Sequence, residues 1–582
     1  MFGLGYVSAE DRLFMMDVLR HLGRARLSEF LGPSPSNLAM DAAQFKVADY
    51  TEEELYGLGL RLLELDPVLG RQVVNDFADY SDGINAFLQE ARVDPRLLPG
   101  EYAALQLVPD PWRPTDTAAV ASVIGGALGV GGGTELENAA FLEALAEQGH
   151  TPTEARAIFD DLHMVDDPEA PTTTNRRFPW NQDLGPVDAR STALPDDAAE
   201  VLSSVPQPPS VIDGPFGAIH LAFPAAGSNA LLVSARHSAS GRPLAVFGPQ
   251  TGYWSPEILM EVDVHAPGLH GRGAAFPGIS LYVLLGRGPG WGWSATSAGA
   301  DQVDIVAHEL CDPMGGAPEP NSQHYLRGKR CVPMYTRTDT FVAKPSAGGV
   351  PSSPTAVLVS LTTERTHLGI VQSRGTVDGK AVAFVRRRAS YGAEVDSAFA
   401  FVEIMNPESF RGARDFQRAF GRFSFTFNWF YVDAKDIAFQ LGGLNPIRAP
   451  GVDLDLPIWA GKRWDWRGFQ RFGELPKALN PGRGYFANWN NWQAPGFRVS
   501  DGAWSYGPVH RSLLLDDRVR REVREGDVTM VELVQAMEDA ATVDLRGDKV
   551  LPWMLEVVGH PADGRLGRAV RLLGDWHRNG AH

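Results

Sequence analysis

The sequence predicts an α+β fold, and three observations predict it. The first part of the 582-residue chain carries apolar positions at helical spacing, and the part after residue 228 switches to short β-rich runs in a Gly- and Pro-rich background. Residues 529–541 and 566–574 then return to helical patterning. That order suits sheets packed on a core with helices outside. Length alone suggests several domains, although a single helix-decorated sandwich can be this long.

Near the start, Ser8 followed by Asp11 reads as a capping-box-like signal. Leu13, Phe14, Met16, Leu19, Leu22 and Leu27 then form one broad apolar face, so a helix is expected over about residues 9–31, stopped by Gly32-Pro33. Helical patterns follow over 52–65, 69–91 and 116–128. Gly129-Val130-Gly131-Gly132-Gly133 lacks the Gly-Lys-Ser/Thr of a phosphate loop and reads as a flexible connection before a helix over 135–148. Residues 165–216 are rich in Pro, Asp, Ser and Thr, a composition expected not to pack a core and suited to a linker or removable spacer. Gly227-Ser228-Asn229 then opens an apolar run over 230–233, a polar turn reverses it, and a second run over 244–247 completes a hairpin with a serine at its start. Further strands are expected at 281–285, 303–307, 356–360, 382–385 and 427–432.

A formal net charge of -18 argues against a nucleic-acid partner, because phosphate binding wants a basic surface. No run is long and apolar enough to span a bilayer, and the N-terminus lacks the basic, apolar and small-residue order of a signal peptide. Cys311 and Cys331 are the only cysteines. In an oxidising compartment they could pair and contribute about 3 kcal/mol in the chain-entropy model; the sequence leaves pairing and two free thiols equally open. His308-Glu309 lacks the second histidine of a zincin helix.

Several motifs occur in a fixed order. They are Gly5-Tyr6-Val7-Ser8-Ala9-Glu10-Asp11-Arg12-Leu13, Thr134-Glu135-Leu136-Glu137-Asn138, Gly227-Ser228-Asn229, and Gly248-Pro249-Gln250. Trp293-Ser294-Ala295-Thr296-Ser297, Asp301-Gln302-Val303-Asp304, Trp464-Asp465-Trp466, Asn480-Pro481 and Ala487-Asn488-Trp489-Asn490-Asn491 follow. Each is weak alone, but in this order across nearly the whole chain they resemble the penicillin acylase family of N-terminal-nucleophile (Ntn) hydrolases, which are made as one precursor and cut into two chains. The resemblance implies an αββα sandwich with a helical first-chain-like region at 1–164, a linker or spacer at 165–227 and a catalytic second-chain-like region at 228–582. The family pattern has a strand-forming segment before Gly5 and a β-rich stretch beyond His582, so the fold is expected to be truncated at both ends.

Hydrolysing an amide needs an activated nucleophile, a base near operating pH and donors for the oxyanion. A free α-amino group, with a reference pKa of roughly 7.7 to 8.0, can be that base. A cut between Gly227 and Ser228 would place nucleophile and base on one residue. The resemblance assigns the oxyanion hole to the backbone N–H of Ser297 and the side chain of Asn490, orientation of the centre to Arg511 after Tyr506-Gly507-Pro508, and a place beside the nucleophile to Gln250. Without it, Asn490 reads as a turn residue and Arg511 as a surface ion-pair partner. The implied acyl pocket is apolar, with Thr251, Leu285, Ala295, Phe401 and Phe427, and the segment 125–133 closing it.

The resemblance further implies one structural calcium ion held by Glu135, Asp301, Asp304 and Asp501 with the carbonyls of Val303 and Leu454, and no organic cofactor. Four gathered carboxylates repel without a cation, whereas Asp301-x-x-Asp304 alone reads as a solvated turn. The expected protein is an autoprocessed amidohydrolase releasing an apolar acyl group from a small N-acyl amide such as a β-lactam, an acyl-homoserine lactone or a lipopeptide. It would be a heterodimer of its own two chains, with no membrane or nucleic-acid partner and a periplasmic or secreted location implied by the family. The rivals are a catalytically silent, unprocessed binding relative and a conventional endopeptidase.

Overall fold

The computed structural model describes residues 1–163, 167–181, 184–220, 227–252, 255–344, 355–498, 500–502 and 511–582. Helices α1 (Phe2–Gly23), α2 (Pro67–Val93), α3 (Pro114–Leu128) and α4 (Glu135–Glu147) dominate the first part. The helix expected over 9–31 starts earlier and is broken: α1 bends at Arg12, ends at Gly23, and a short helix resumes over Leu27–Leu31. Ser8 is therefore no cap. It lies inside α1, with its hydroxyl 3.6 Å from the Met260 sulfur.

The strands that place the site are β1 (Asn229–Val233), β2 (Leu244–Gly248), β3 (Met260–Ala266), β4 (Leu269–Ala275), β5 (Leu285–Arg287), β6 (Trp291–Ser297) and β7 (Val303–Glu309). Then come β8 (Tyr335–Ala343), β9 (Val357–Arg365), β10 (Ile370–Val377), β11 (Lys380–Arg388), β12 (Phe427–Asp433), β13 (Ile437–Leu441), β14 (Ile458–Trp459), β15 (Lys477–Leu479) and β16 (Tyr485–Asn488). Among the described residues they form a three-stranded sheet β16-β1-β2, a seven-stranded sheet β15-β13-β12-β6-β5-β4-β3 and a six-stranded sheet β8-β9-β10-β11-β7-β14. Of the strand expected at 281–285, only Leu285 is extended.

Side chains alternate across a strand, and that period sorts the core into layers. Leu231 and Val233 pack with Leu515, Val519 and Leu533 of helices α7 (Ser512–Glu525) and α8 (Met530–Thr542). Ala230 and Leu232 face the other way, onto Phe430 and Phe439 of the seven-stranded sheet. On that sheet's far side Trp429 and Tyr431 meet Phe416 and Phe420 beside helices α5 (Ala398–Ile404) and α6 (Ala413–Phe420). Helix, sheet, sheet, helix: this is the αββα sandwich.

Described residues of the segment 165–216, expected not to pack a core, do pack. Phe178 and Trp180 are buried in the core between the two sheets, and Ala198–Ser203 is helical. Two aromatics outweigh the polar composition around them, because burial is set by apolar area rather than by average hydrophilicity. Cys311 and Cys331 are joined, which ties the end of β7 to the hairpin of His324–Arg327 and Arg330–Pro333. Among the described residues no helix is long and apolar enough to cross a membrane.

Candidate active site

Ser228 immediately precedes the central strand of the three-stranded sheet. Asn229 pairs with Gly248 and Ala230 with Asn488, so continuing both ladders by register sets Ser228 between Pro249 on one side and Asn490 on the other. Gly227 packs so closely on the Gln250 carbonyl that a Cβ there would lie 2.0 Å from its oxygen, which leaves no room for a side chain.

Hydrogen bonds fix the Asn490 amide. A guanidinium can only donate, so the 2.7 Å bond from Arg511 Nη2 identifies the facing atom as Asn490 Oδ1. Asn490 Nδ2 then donates to the Ser297 carbonyl at 2.9 Å and keeps its second hydrogen. Asn490 has a left-handed backbone, φ 62°, and its N–H donates to Asn488 Oδ1 at 3.0 Å. Arg511 also lies over the Trp489 ring at 4.9 Å, and the Trp489 indole donates to Gln250 Oε1 at 2.9 Å. Tyr506-Gly507-Pro508 lies outside the described residues.

Ser228, Gln250, Thr251, Leu285, Ala295, Ser297, Phe401 and Phe427 all line one cavity of about 1300 Å³, mouth included, together with Trp429, Phe425, Leu281 and Tyr282. The structure thus brings these eight residues to one cavity. Ile124, Gly125 and Leu128 close one side. A Cβ on Gly125 would come within 2.2 Å of the Phe425 ring, and one on Gly129 within 2.4 Å of Phe427, so the two rings occupy the space where side chains at 125 and 129 would stand. The Gly129–Gly133 stretch is a fitted strap rather than a flexible connection. The Gly129 carbonyl accepts from Thr426 N–H at 2.7 Å, and the Gly131 carbonyl accepts from Gln302 N–H at 2.9 Å.

The strap leads to an acidic cluster. Glu135, Asp301, Asp304 and Asp501 are all buried. Burial first, and then the neighbouring carboxylates, push Glu135 well above the usual carboxylate range. Burial likewise lifts Asp301 well up and Asp501 to about 6, although Thr134 donates to Asp501 through both its N–H and its hydroxyl. Arg448, fully buried, reaches one oxygen each of Asp301 and Asp304 at 2.7 Å. The Trp466 indole holds the other oxygen of Asp304. Asp304 is thus already partnered, unlike Glu135 Oε2 and Asp501 Oδ1, which are buried with no hydrogen-bond partner.

Asp301 Oδ1 and the Val303 carbonyl oxygen converge over Gly132, 2.2 and 3.0 Å from where a Cβ would be. Leu454 packs beside Val452 and Ile458, and nothing among the described residues ties its carbonyl to the cluster. No three acidic or histidine side chains among the described residues gather closely enough to form a closed metal cage. Even so, four carboxylates face two guanidinium groups, Arg448 and the buried Arg386, and two carboxylate oxygens lack a partner. All-oxygen donors with a surplus of negative charge fit a hard divalent cation.

A family-level sequence pattern described as penicillin amidase matches residues 1–582. The chain belongs to the penicillin amidase family. It is 26% identical over 553 residues to penicillin G acylase of Escherichia coli, covering 90% of this chain and 60% of that protein. It is 24% identical over 514 residues to acyl-homoserine lactone acylase QuiP of Pseudomonas syringae pv. tomato, covering 87% of this chain and 55% of that one. A solved thermostable penicillin G acylase from Alcaligenes faecalis, in orthorhombic form, matches with a TM-score of 0.49 and 23% identity over 59% of this chain and 58% of that chain. The chain spans little more than half the length of the curated relatives it matches.

Within this penicillin amidase chain, several structural residues around the site were not singled out by sequence. Asn488, Thr296 and Trp489 lie inside the family motifs with no role of their own assigned there, and Thr173 lies in the stretch expected to be a spacer. Arg448 had no motif at all. Its role comes from contacts 144 and 147 positions away, which no local pattern displays.

Proposed function

We propose that this chain is an amidohydrolase that cuts itself between Gly227 and Ser228 and then hydrolyses small N-acyl amides with an apolar acyl group. The observation that carries the reading is the position of Ser228, which borders an apolar cavity and is flanked in register by Asn490. In the uncut chain Ser228 Oγ attacks the Gly227 carbonyl, the Gly227–Ser228 C–N bond breaks as the hydroxyl proton passes to the Ser228 nitrogen, and water opens the resulting ester. In the cut protein the freed α-amine takes the Oγ proton through a water, and Oγ attacks the substrate carbonyl. The Ser297 N–H and the second Nδ2 hydrogen of Asn490 then meet the oxyanion, the α-ammonium gives its proton to the leaving amine as the C–N bond breaks, and water hydrolyses the acyl ester to restore the Ser228 hydroxyl. Arg511 keeps the Asn490 amide in the donating orientation.

A calcium ion at the acidic cluster would supply charge balance between the two chains, with Glu135, Asp301, Asp501 and the Val303 carbonyl as its holders and no part in the chemistry. The named activities of the relatives favour penicillin-like or acyl-homoserine-lactone-like amides. A periplasmic or secreted location suits the Cys311–Cys331 disulfide. Intact mass and N-terminal sequencing of purified protein, followed by assay on a panel of acyl amides, test the reading. Two chains with the second beginning at Ser228 are expected, and Ser228→Ala stays uncut and inactive. One intact, inactive wild-type chain, or a second chain that starts elsewhere, would sink it in favour of the silent binding relative.

A further inference from the structure

Four fully buried polar side chains sit behind the oxyanion corner: Thr173, Asn488, Thr296 and Asn428. Their hydrogen-bond directions follow from chemistry. The Trp492 carbonyl can only accept, so the Thr173 hydroxyl 3.1 Å away donates to it. That leaves the lone pairs of Thr173 Oγ1 to accept from Asn488 Nδ2 at 2.7 Å. The Asn488 amide is thereby oriented with Oδ1 on the opposite side. Oδ1 accepts from the Thr296 hydroxyl at 2.7 Å and from the Asn490 N–H at 3.0 Å. Thr296 precedes Ser297 in β6 and accepts from Asn428 Nδ2 at 3.1 Å. One amide therefore grips both halves of the oxyanion corner, the β6 end that carries Ser297 and the turn that carries Asn490.

A reversed Asn488 amide would set N–H against the Asn490 N–H, and the left-handed Asn490 backbone would lose the bond that holds it. Thr173 decides which way the amide faces. It is itself pinned, because its own N–H donates to Trp492 O at 2.8 Å, Thr174 N–H donates to Gln493 O at 3.1 Å, and Arg483 holds the Thr173 carbonyl at 2.8 Å.

We infer that Thr173 is a positioning residue for the oxyanion hole, acting through Asn488 on Asn490, and that the stretch around it is a permanent part of the first chain rather than of any excised spacer. This rests on the proposed amidase reading. Thr173 touches no substrate; it fixes the polarity of a hydrogen-bond relay that crosses from the first chain to the second.

The test uses the full protein as purified, with isosteric Thr173→Val and conservative Thr173→Ser. Thr173→Val is expected to lower kcat on an acyl amide by about 10- to 100-fold, the range that misplacement of a reacting group brings. KM should change by less than about twofold, because the acyl pocket is untouched. Thr173→Ser should restore most of kcat, which a packing role for the methyl group would not allow. Intact mass of the first chain should include residue 173. Wild-type kcat in Thr173→Val, or a first chain that ends before residue 173, overturns the inference. If the wild type hydrolyses no amide, the amidase reading fails and the inference is decided by hydrogen exchange at the Asn490 amide. Exchange about tenfold faster in Thr173→Val supports it, and unchanged exchange overturns it.

Discussion

The proposed oxyanion corner and the acidic cluster lie a few residues apart on one stretch, Ser297 in the first and Asp301 with Asp304 in the second. The corner's central relay is held by its own atoms, with Asn428 Oδ1 behind it buried and unpartnered. Each amide and hydroxyl of the Thr173, Asn488 and Asn490 relay has a partner whose chemistry fixes its direction. The cluster does not close: Glu135 Oε2 and Asp501 Oδ1 are buried and unpartnered, and negative charge exceeds positive. The difference teaches what each region asks of its surroundings. A neutral relay can be preorganised by folding alone, whereas a surplus of buried charge must be relieved by protons or by a cation.

The largest expected effect strikes the corner. Asn490→Ala removes one oxyanion donor, and such a loss costs roughly 100- to 1000-fold in kcat. Self-cleavage should survive it, since cutting happens once with hours available. Steady-state rates on an acyl amide and gel analysis of processing check this. A drop below about tenfold would show that the corner does not depend on Asn490.

Next comes the cluster. Burial lifts Asp501 from 3.8 to about 6, so between those values the folded chain holds a proton that the unfolded chain has released. Stability of the cation-free protein therefore falls as pH rises through that window, by about 3 kcal/mol for a shift of about two pKa units. Melting in chelator from about pH 3.5 to about pH 7 should show this decline. Calcium should abolish it, and Asp501→Asn should lose the part between 3.8 and about 6 while keeping the decline that the raised Glu135 and Asp301 carboxyls add. A decline of equal size in Asp501→Asn would assign it elsewhere.

A smaller effect probes the end of α3, which leads into the strap and closes the pocket. Gly125→Ala must displace the Phe425 ring, and overpacking of this kind typically costs 1 to 3 kcal/mol. Affinity for the longest accepted acyl group should fall while that for the shortest stays constant, which competition by free carboxylic acids of increasing length would read. Equal loss for all lengths would mean that this helix end sets the mouth rather than the depth.

Ser297 and the five pocket positions came from the family resemblance, whereas the hairpin that opens after Ser228 was legible in a local pattern, a Gly-Ser-Asn step before an apolar run. The helices over 52–65 and 116–128 were legible for the same reason, and appear as Glu52–Leu65 and Pro114–Leu128. What stayed hidden was partnership at a distance. Thr173 and Asn488 are 315 residues apart, and the Arg448 grip on Asp304 spans 144. Composition also misled in the stretch before Ser228, where the Pro, Asp, Ser and Thr content concealed Phe178 and Trp180.

Those two aromatics bear on what a break at Gly227 would do. Phe178 and Trp180 lie in the core shared with Phe430, Phe439 and Phe486. A nicked molecule would thus keep its shape, its two pieces meeting across a surface like a domain core cut in half. Unfolding it would be another matter. The uncut chain brings its two parts together at the high effective concentration of a tether, whereas separated pieces must find each other from dilute solution. Each would meanwhile expose sheet faces that prefer to aggregate. Folding would be a single-use event, and the lifetime of the nicked protein would be governed by how slowly it opens rather than by any equilibrium it could return to.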